Sequence, residues 1–146
     1  MANMSNYLEN KMIDFLFRGV SFSAPSTLYV ALCTATVSDS STGSTIAEVS
    51  GGNYARIAIT SNASNWFTTN GDNAATSSGT GGATGNSGTI AWNSVTWSAT
   101  VTDVAICDAA SGGNVLFYGT LSASKTVASG DSISFAANSL TLQIDN

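Results

Sequence analysis

The feature that most constrains this chain is alternation punctuated by small turn residues. From Thr27 onward, apolar side chains recur at every second position in short runs, and Gly, Ser, Asn or Asp closes each run. A period of two is the mark of a strand with one covered face, and turn-formers between such runs make neighbouring strands antiparallel. In SISFAA, Ile133 and Phe135 alternate with serines; in SLTLQI, Leu140, Leu142 and Ile144 alternate with polar residues. TLYVALCTA, Thr27 to Ala35, differs. Leu28, Val30 and Leu32 share one face, and Tyr29, Ala31 and Cys33, also apolar, share the other. This run reads as a strand covered on both sides. NYARIAIT, TIAW, the VAIC end of TWSATVTDVAICDA, NVLFYGTL and KTVA are further strand candidates, with turns at DAASGGN and at Ser129 to Asp131. The expected fold is mainly β, an antiparallel β-sandwich or β-barrel-like domain of about seven to eight strands.

One helix precedes the strands. Leu8, Met12, Phe15 and Leu16 fall at i, i+4, i+7 and i+8, on one helical face. Asn6 with Glu9 three residues on reads as a capping box, and Gly19 as a stop. Ile13 and Phe17 widen the apolar side, so this helix needs cover from its own sheet or from another subunit. The expected organisation is a single domain over 1–146, with a helix within 1–20 and a β-domain over 27–146. Ser38 to Gly52 reads as a loop anchored by Ile46 and Val49. SNWF supplies Trp66 and Phe67 as a further anchor. The Gly/Ser/Asn-rich stretch 70–88 reads as a long loop, either mobile or ordered by contact with something else.

Chemistry is scarce. Charged residues are 9% of the chain, against about 25% in an ordinary soluble protein. The 43% hydrophobic content argues against disorder. Four basic and nine acidic residues give a net charge of −5 with no basic run, so no nucleic-acid partner is expected. There is no histidine, which removes the usual general base and the commonest zinc ligand. GTGGATG, Gly79 to Gly85, has neither a following helix nor a lysine and reads as a flexible loop, not a phosphate cradle. Asp103 and Asp108 lie roughly 16 Å apart along an extended chain, too far for a glycosidase pair on one strand, and read as turn caps. Asp72 in NGDN fits no EF-hand spacing. Cys33 and Cys107 sit in apolar runs and read as buried free thiols, with a bond between them undecided. Trp66, Trp92 and Trp97 read as core or subunit packing, or as a sugar-stacking face. The expectation is no enzyme, with no catalytic residue, cofactor or metal. The opening MANMSNYLENK lacks a basic region and a long apolar run, so no signal peptide is expected, and no run is long enough to make a membrane a partner.

Five stretches carry a resemblance: MSNYLENKMIDFLFRG, TLYVALCTA, EVSGGNYAR, TDVAICDAASGGNVLFYGTL and SKTVASGDSISFAANSLTL. In this order they resemble a family of small virion proteins of tailed bacteriophages that often carry a tail-fibre label. The stretches cover most of the chain; Asn70 to Gly88 matches least. The resemblance implies a structural protein of the virion. A domain of this length has a radius of gyration of roughly 15 Å. Heptads and shaft repeats are absent from the sequence, so it is a tip or connector and not a whole fibre. Small size and low charge favour a cement, or decoration, protein on the capsid exterior, and the resemblance implies a homotrimer clipping the major capsid protein. The alternative is a tail fibre, tail tip or other tail component, with tail proteins or a host-surface glycan as partner. The candidate interface residues are Leu8, Met12, Phe15 and Leu16 of the helix, Tyr54 and Arg56 of GGNYAR, and Trp66. Arg56 is read either as an exposed strand residue or as an inter-subunit cation, since neighbouring copies supply acid in excess.

Overall fold

The structure, a computed structural model, describes residues 3–144. Met1, Ala2, Asp145 and Asn146, which the single-domain assignment includes, lie outside the described residues. In chain order the elements are β1 (Asn3–Met4), α1 (Asn6–Phe17), β2 (Thr27–Cys33), β3 (Ile57–Thr60), β4 (Trp66–Phe67), β5 (Ala83–Asn86), β6 (Ile90–Trp92), β7 (Ala99–Cys107), β8 (Val115–Val127), β9 (Ile133–Phe135) and β10 (Thr141–Gln143). All pairings are antiparallel. The large sheet runs β1-β8-β7-β2-β3; a second layer consists of β10-β5-β4 and the pair β6-β9. The fold is therefore mainly β, and its two layers pack as a sandwich. The described helix is too short to cross a membrane.

β2 and β7 form the middle of the large sheet and are covered on both faces, as the two-sided apolar pattern of TLYVALC requires. Val30 and Leu32 of β2 meet Val104 and Ile106 of β7 on the inner face. There they pack against Ile90, Trp92, Ile133, Leu140 and Leu142 of the second layer, with Val95 and Trp97. Each such aliphatic side chain contributes about 1.5–3 kcal/mol by leaving water. The outer face carries smaller groups, Ala31, Cys33, Ala105, Cys107 and Val115. The loop after β2 lies close over them, with Val37 and Ile46 as its plug. Val49 is buried in the inner core. Its N–H donates to Leu32 O at 2.9 Å, and Thr34 N–H donates to Ala47 O at 2.8 Å.

Three features depart from the sequence reading. NVLFYGTL and KTVA are one long strand, β8, which bulges opposite Thr102 where Val101 pairs with Lys125 and Asp103 with Thr120. The stretch 70–88 is not a bare loop, because β5 lies within it and is the middle strand of the three-stranded sheet. Gly85 makes this possible: a Cβ there would sit 2.6 Å from the Phe67 ring and 2.5 Å from Leu140 O. Asn86 beside it is wholly buried, donating to Gly88 O and Ala136 O and accepting from Leu140 N–H. It fastens β5 to the chain before β10. Finally, Ser5 and not Asn6 caps α1. Its backbone is extended, and its hydroxyl accepts from Leu8 N–H at 3.3 Å while donating to Val115 O.

Register also settles the thiols. Cys33 lies opposite Asp103 and Cys107 opposite Tyr29, so the two are offset by four residues along one ladder. That is on the order of 13 Å, far beyond disulfide reach. Both are free. Burial pushes the Cys33 thiol up to about 12, with Glu48 adding to it, and the Cys107 thiol up to about 11.

Candidate functional site

The candidate interface residues separate into an exposed helix and an interior polar node. α1 is tied down only at its start. Ser5 N–H donates to Leu116 O and Asn6 N–H to Asp39 O, both at 2.9 Å, and Leu8 alone among the helix residues is buried. Met12 is half-buried. Beyond it the apolar side chains are only partly covered: Ile13 and Phe15 are about half exposed, Leu16 is 60% exposed and Phe17 81%. Gly19, at φ +69°, turns the chain, and Val20, also exposed, donates its N–H back to Asp14 O. With aromatic side chains of 150–250 Å² each, the patch presents on the order of 500 Å², as large as the biggest patch an ordinary monomer shows. Its charge is balanced locally. Of the nine acidic and four basic residues, the helix and its cap hold Glu9, Asp14, Lys11 and Arg18, so the net −5 belongs to the rest of the chain. Asp14 and Arg18 pair at 2.9 Å.

Tyr54 and Arg56 lie elsewhere. The reading of Arg56 as an exposed strand residue is corrected: its side chain is 2% exposed, and its hydrogen bonds go to groups of its own chain. Nε donates to both Glu48 oxygens at 3.0 and 3.1 Å, and Nη2 donates to Glu48 Oε2 at 2.7 Å and Gly43 O at 2.8 Å. Nη1 donates to Ala109 O and Gly112 O. Burial alone would lower the guanidinium's affinity for its proton; the hydrogen bond and charge of Glu48 outweigh it and raise it above its ordinary value. Tyr54 completes the node, donating to Glu48 Oε1 at 2.8 Å and accepting from Leu32 N–H at 2.9 Å. Burial pushes its phenol up, and Glu48 adds to this against the pull of the Leu32 N–H. Within GGNYAR, Tyr54 and Arg56 therefore turn inward while Gly51, Gly52, Asn53 and Ala55 stay exposed. Gly51 and Gly52 take positive φ, and a Cβ on Gly52 would strike Thr96. The node ties the loop after β2 to the β7–β8 turn, where Asn114 caps Asp108 through N–H and Nδ2, each at 2.7 Å.

Asp103 is not a turn cap. It is buried in β7, with Oδ2 accepting from Val37 N–H and the Thr120 hydroxyl. The tryptophans are also interior. Trp92 donates Nε1–H to Ala55 O at 2.7 Å and Trp97 meets Tyr54 edge to face, so neither offers a sugar-stacking face. Trp66 is half-buried and packs on the core. With Phe67 it lines a pocket of ≈ 330 Å³ between the layers, walled by Leu28, Ile106, Phe117 and Leu142. No charged side chain lines this pocket. It lies where β2 and β8 begin and β7 and β3 end, the same end of the sheet from which α1 departs. The exposed half of α1 and this mouth were not separable from core in the sequence, because apolar residues carry no mark of which neighbour covers them. Among the described residues no three His, Cys, Asp or Glu side chains gather as a metal site would require.

No curated protein matches the chain. A family model does, over residues 3–143, and it describes the Podophage GP4 fiber I protein gp80. The match spans both layers, α1 and the pocket, and it includes the stretch 70–88 that resembles the small virion proteins least. The chain belongs to this family of podophage fibre proteins.

Proposed function

We propose that the chain is a compact, non-enzymatic subunit of the phage fibre apparatus, which works by being held between neighbours. The observation that carries this is the bare apolar half of α1: among the described residues, every large exposed hydrophobic side chain except Ile144 lies on it or just after it. Phe17 and Leu16 in water forgo about 1.5–3 kcal/mol each that burial would return. A helix sewn down at one end and apolar at the other is a plug awaiting a socket. The buried thiols, the internally paired Arg56 and the absence of histidine leave the fold suited to bearing load. The family's fibre description supports a place on the tail side. Compactness supports a tip or connector, because the described chain has no shaft.

A second reading, a cement protein on the capsid exterior bridging major capsid protein subunits, is favoured by the same lack of a shaft. Copy number separates the two. Quantitative mass spectrometry of purified particles is expected to find tens of copies for a fibre part and on the order of hundreds for cement, where repeated contacts add up over the shell. A particle map with this chain absent from both head and tail would end both readings.

A further inference from the structure

Asn70–Gly71 is the only Asn–Gly pair in the chain, and no Asp–Gly pair occurs. It opens a stretch, 70–80, in which every residue is exposed. We propose that this pair is a self-modifying site, where Asn70 exchanges its amide for a carboxylate and the stretch it fastens is released.

The reaction needs only water. The Gly71 backbone nitrogen attacks Asn70 Cγ. A carbon–nitrogen bond forms there, the Cγ–Nδ2 bond breaks, and Nδ2 leaves as ammonia, taking up the proton that the Gly71 nitrogen gives up. The product is a five-membered succinimide. Water then opens the ring at either carbonyl. Opening at Cγ leaves aspartate. Opening at the backbone carbonyl leaves isoaspartate, whose main chain runs through Cγ and is one atom longer. Nothing is oxidised or reduced.

Three observations select this pair. The first is access. The attacking nitrogen must come close to the side chain before it, and a Cβ on the attacking residue obstructs that approach. Gly71 has none, and at φ +80° it takes a conformation that suits glycine. Open space surrounds the position a Cβ would fill. The second is the lack of a competitor. The next smallest polar follower is serine, after Asn86, Asn93 and Asn138. Asn86 is wholly buried, and its amide is held by Gly88 O and Ala136 O. Ser94 N–H is held by Ser132 Oγ, and Ser139 N–H by Ala136 O.

The third is what the reacting groups hold. Asn70 Nδ2 donates to Ser78 Oγ at 3.0 Å and so ties the start of the stretch to its far side. Gly71 N–H donates to Thr68 O at 2.8 Å and closes a turn. These bonds restrain the reactants and make the conversion slow, and ring closure removes both donors. The new carboxylate then stands two residues from Asp72, whose Oδ1 is already engaged by the Thr68 hydroxyl and Ala74 N–H. Two like charges in one exposed turn oppose its closing again. Ala74, Ala75 and Ser77 of the stretch wall the Trp66 pocket, so the release alters the rim of that pocket.

The test ages the full chain at pH 7 and pH 9. Mass spectrometry with fragmentation locates the change, and labelling by an isoaspartyl methyltransferase detects the rerouted product. The expected result is a gain of one mass unit at Asn70, faster at pH 9 because hydroxide draws off the Gly71 proton, and methyl labelling at the same residue. Asn70→Gln, which would need a six-membered ring, is expected to stay unmodified. Ser78→Ala frees the Asn70 side chain and is expected to convert several-fold faster. Hydrogen exchange over 70–80 is expected to rise in the aged chain and not in aged Asn70→Gln. An aged chain with Asn70 intact, or one in which another asparagine converts first, would overturn the assignment. A Ser78→Ala variant that converts at the wild-type rate would overturn the restraint, and unchanged exchange over 70–80 after conversion would overturn the release.

Discussion

Arg56→Ala tests whether one guanidinium holds the outer loops in place. The side chain is 2% exposed and makes six hydrogen bonds, three to Glu48 and three to the carbonyls of Gly43, Ala109 and Gly112. Truncation leaves Glu48, itself only 20% exposed, with the Tyr54 hydroxyl as its remaining side-chain partner. Three loop carbonyls lose donors at the same time. Removing one member of a buried pair costs about 3–5 kcal/mol, because the other charge stays behind unpaired. Against a total stability of about 5–15 kcal/mol this is a large share. It corresponds to roughly 10 °C in melting temperature for a chain of this size. The assay is urea unfolding followed by tryptophan fluorescence at neutral pH. Arg56→Lys is expected to recover only part of the loss, since a single ammonium cannot span the carboxylate and three carbonyls. Arg56→Met with Glu48→Gln is expected to recover more than either single change, because no charge is stranded. A loss from Arg56→Ala below about 1 kcal/mol, the value of an exposed pair, would refute the burial argument.

Other positions give independent checks. Gly85→Ala is expected to destabilise by about 1–3 kcal/mol through collision with Phe67 and Leu140 O, while Gly88→Ala, with open space around it, is expected to be close to neutral in the same melts. Asn86→Ala strands Leu140 N–H and two carbonyls, and is expected to cost about 1–3 kcal/mol for each group left without a partner, read as a shift in the urea midpoint. The thiols set an alkaline limit. Unfolded, they ionise near their ordinary 9.0; folded, they hold their protons to about 11 and 12. Stability is therefore flat below pH 9 on their account and falls as pH rises above it, since the unfolded chain loses protons first. Urea midpoints taken from pH 7 to 10.5 are expected to fall more gently in Cys33→Ala with Cys107→Ala. Tyr54 keeps some slope in place, as its phenol is raised in the same sense.

How far the sequence could be read depended on whether a residue's neighbours were local. β2 and β10 were legible because their faces are written in alternation, and the end of α1 because Gly19 marks it. β5 was not, since ATGN presents almost no side-chain pattern; its place depends on Phe67 lying over Gly85, a contact made across the sheet. The face of α1 was read correctly as geometry, yet only Leu8 of Leu8, Met12, Phe15 and Leu16 is buried, because only the helix start reaches β8. Arg56 misled for a physical reason. A lone cation in an acidic chain reads as a surface group, and nothing in GGNYAR shows that Gly43, Ala109 and Gly112 turn their carbonyls toward one point.

The node at Arg56 also bears on when this domain becomes rigid. Many small extracellular modules set their loops with oxidised sulfur and so must wait for an oxidant. Here the cysteines stand too far apart to be crosslinked, and the fastening is a guanidinium that engages as soon as the chain collapses around it. The loops lock without any oxidant and stay locked through a later change in redox conditions, because no sulfur bond holds them.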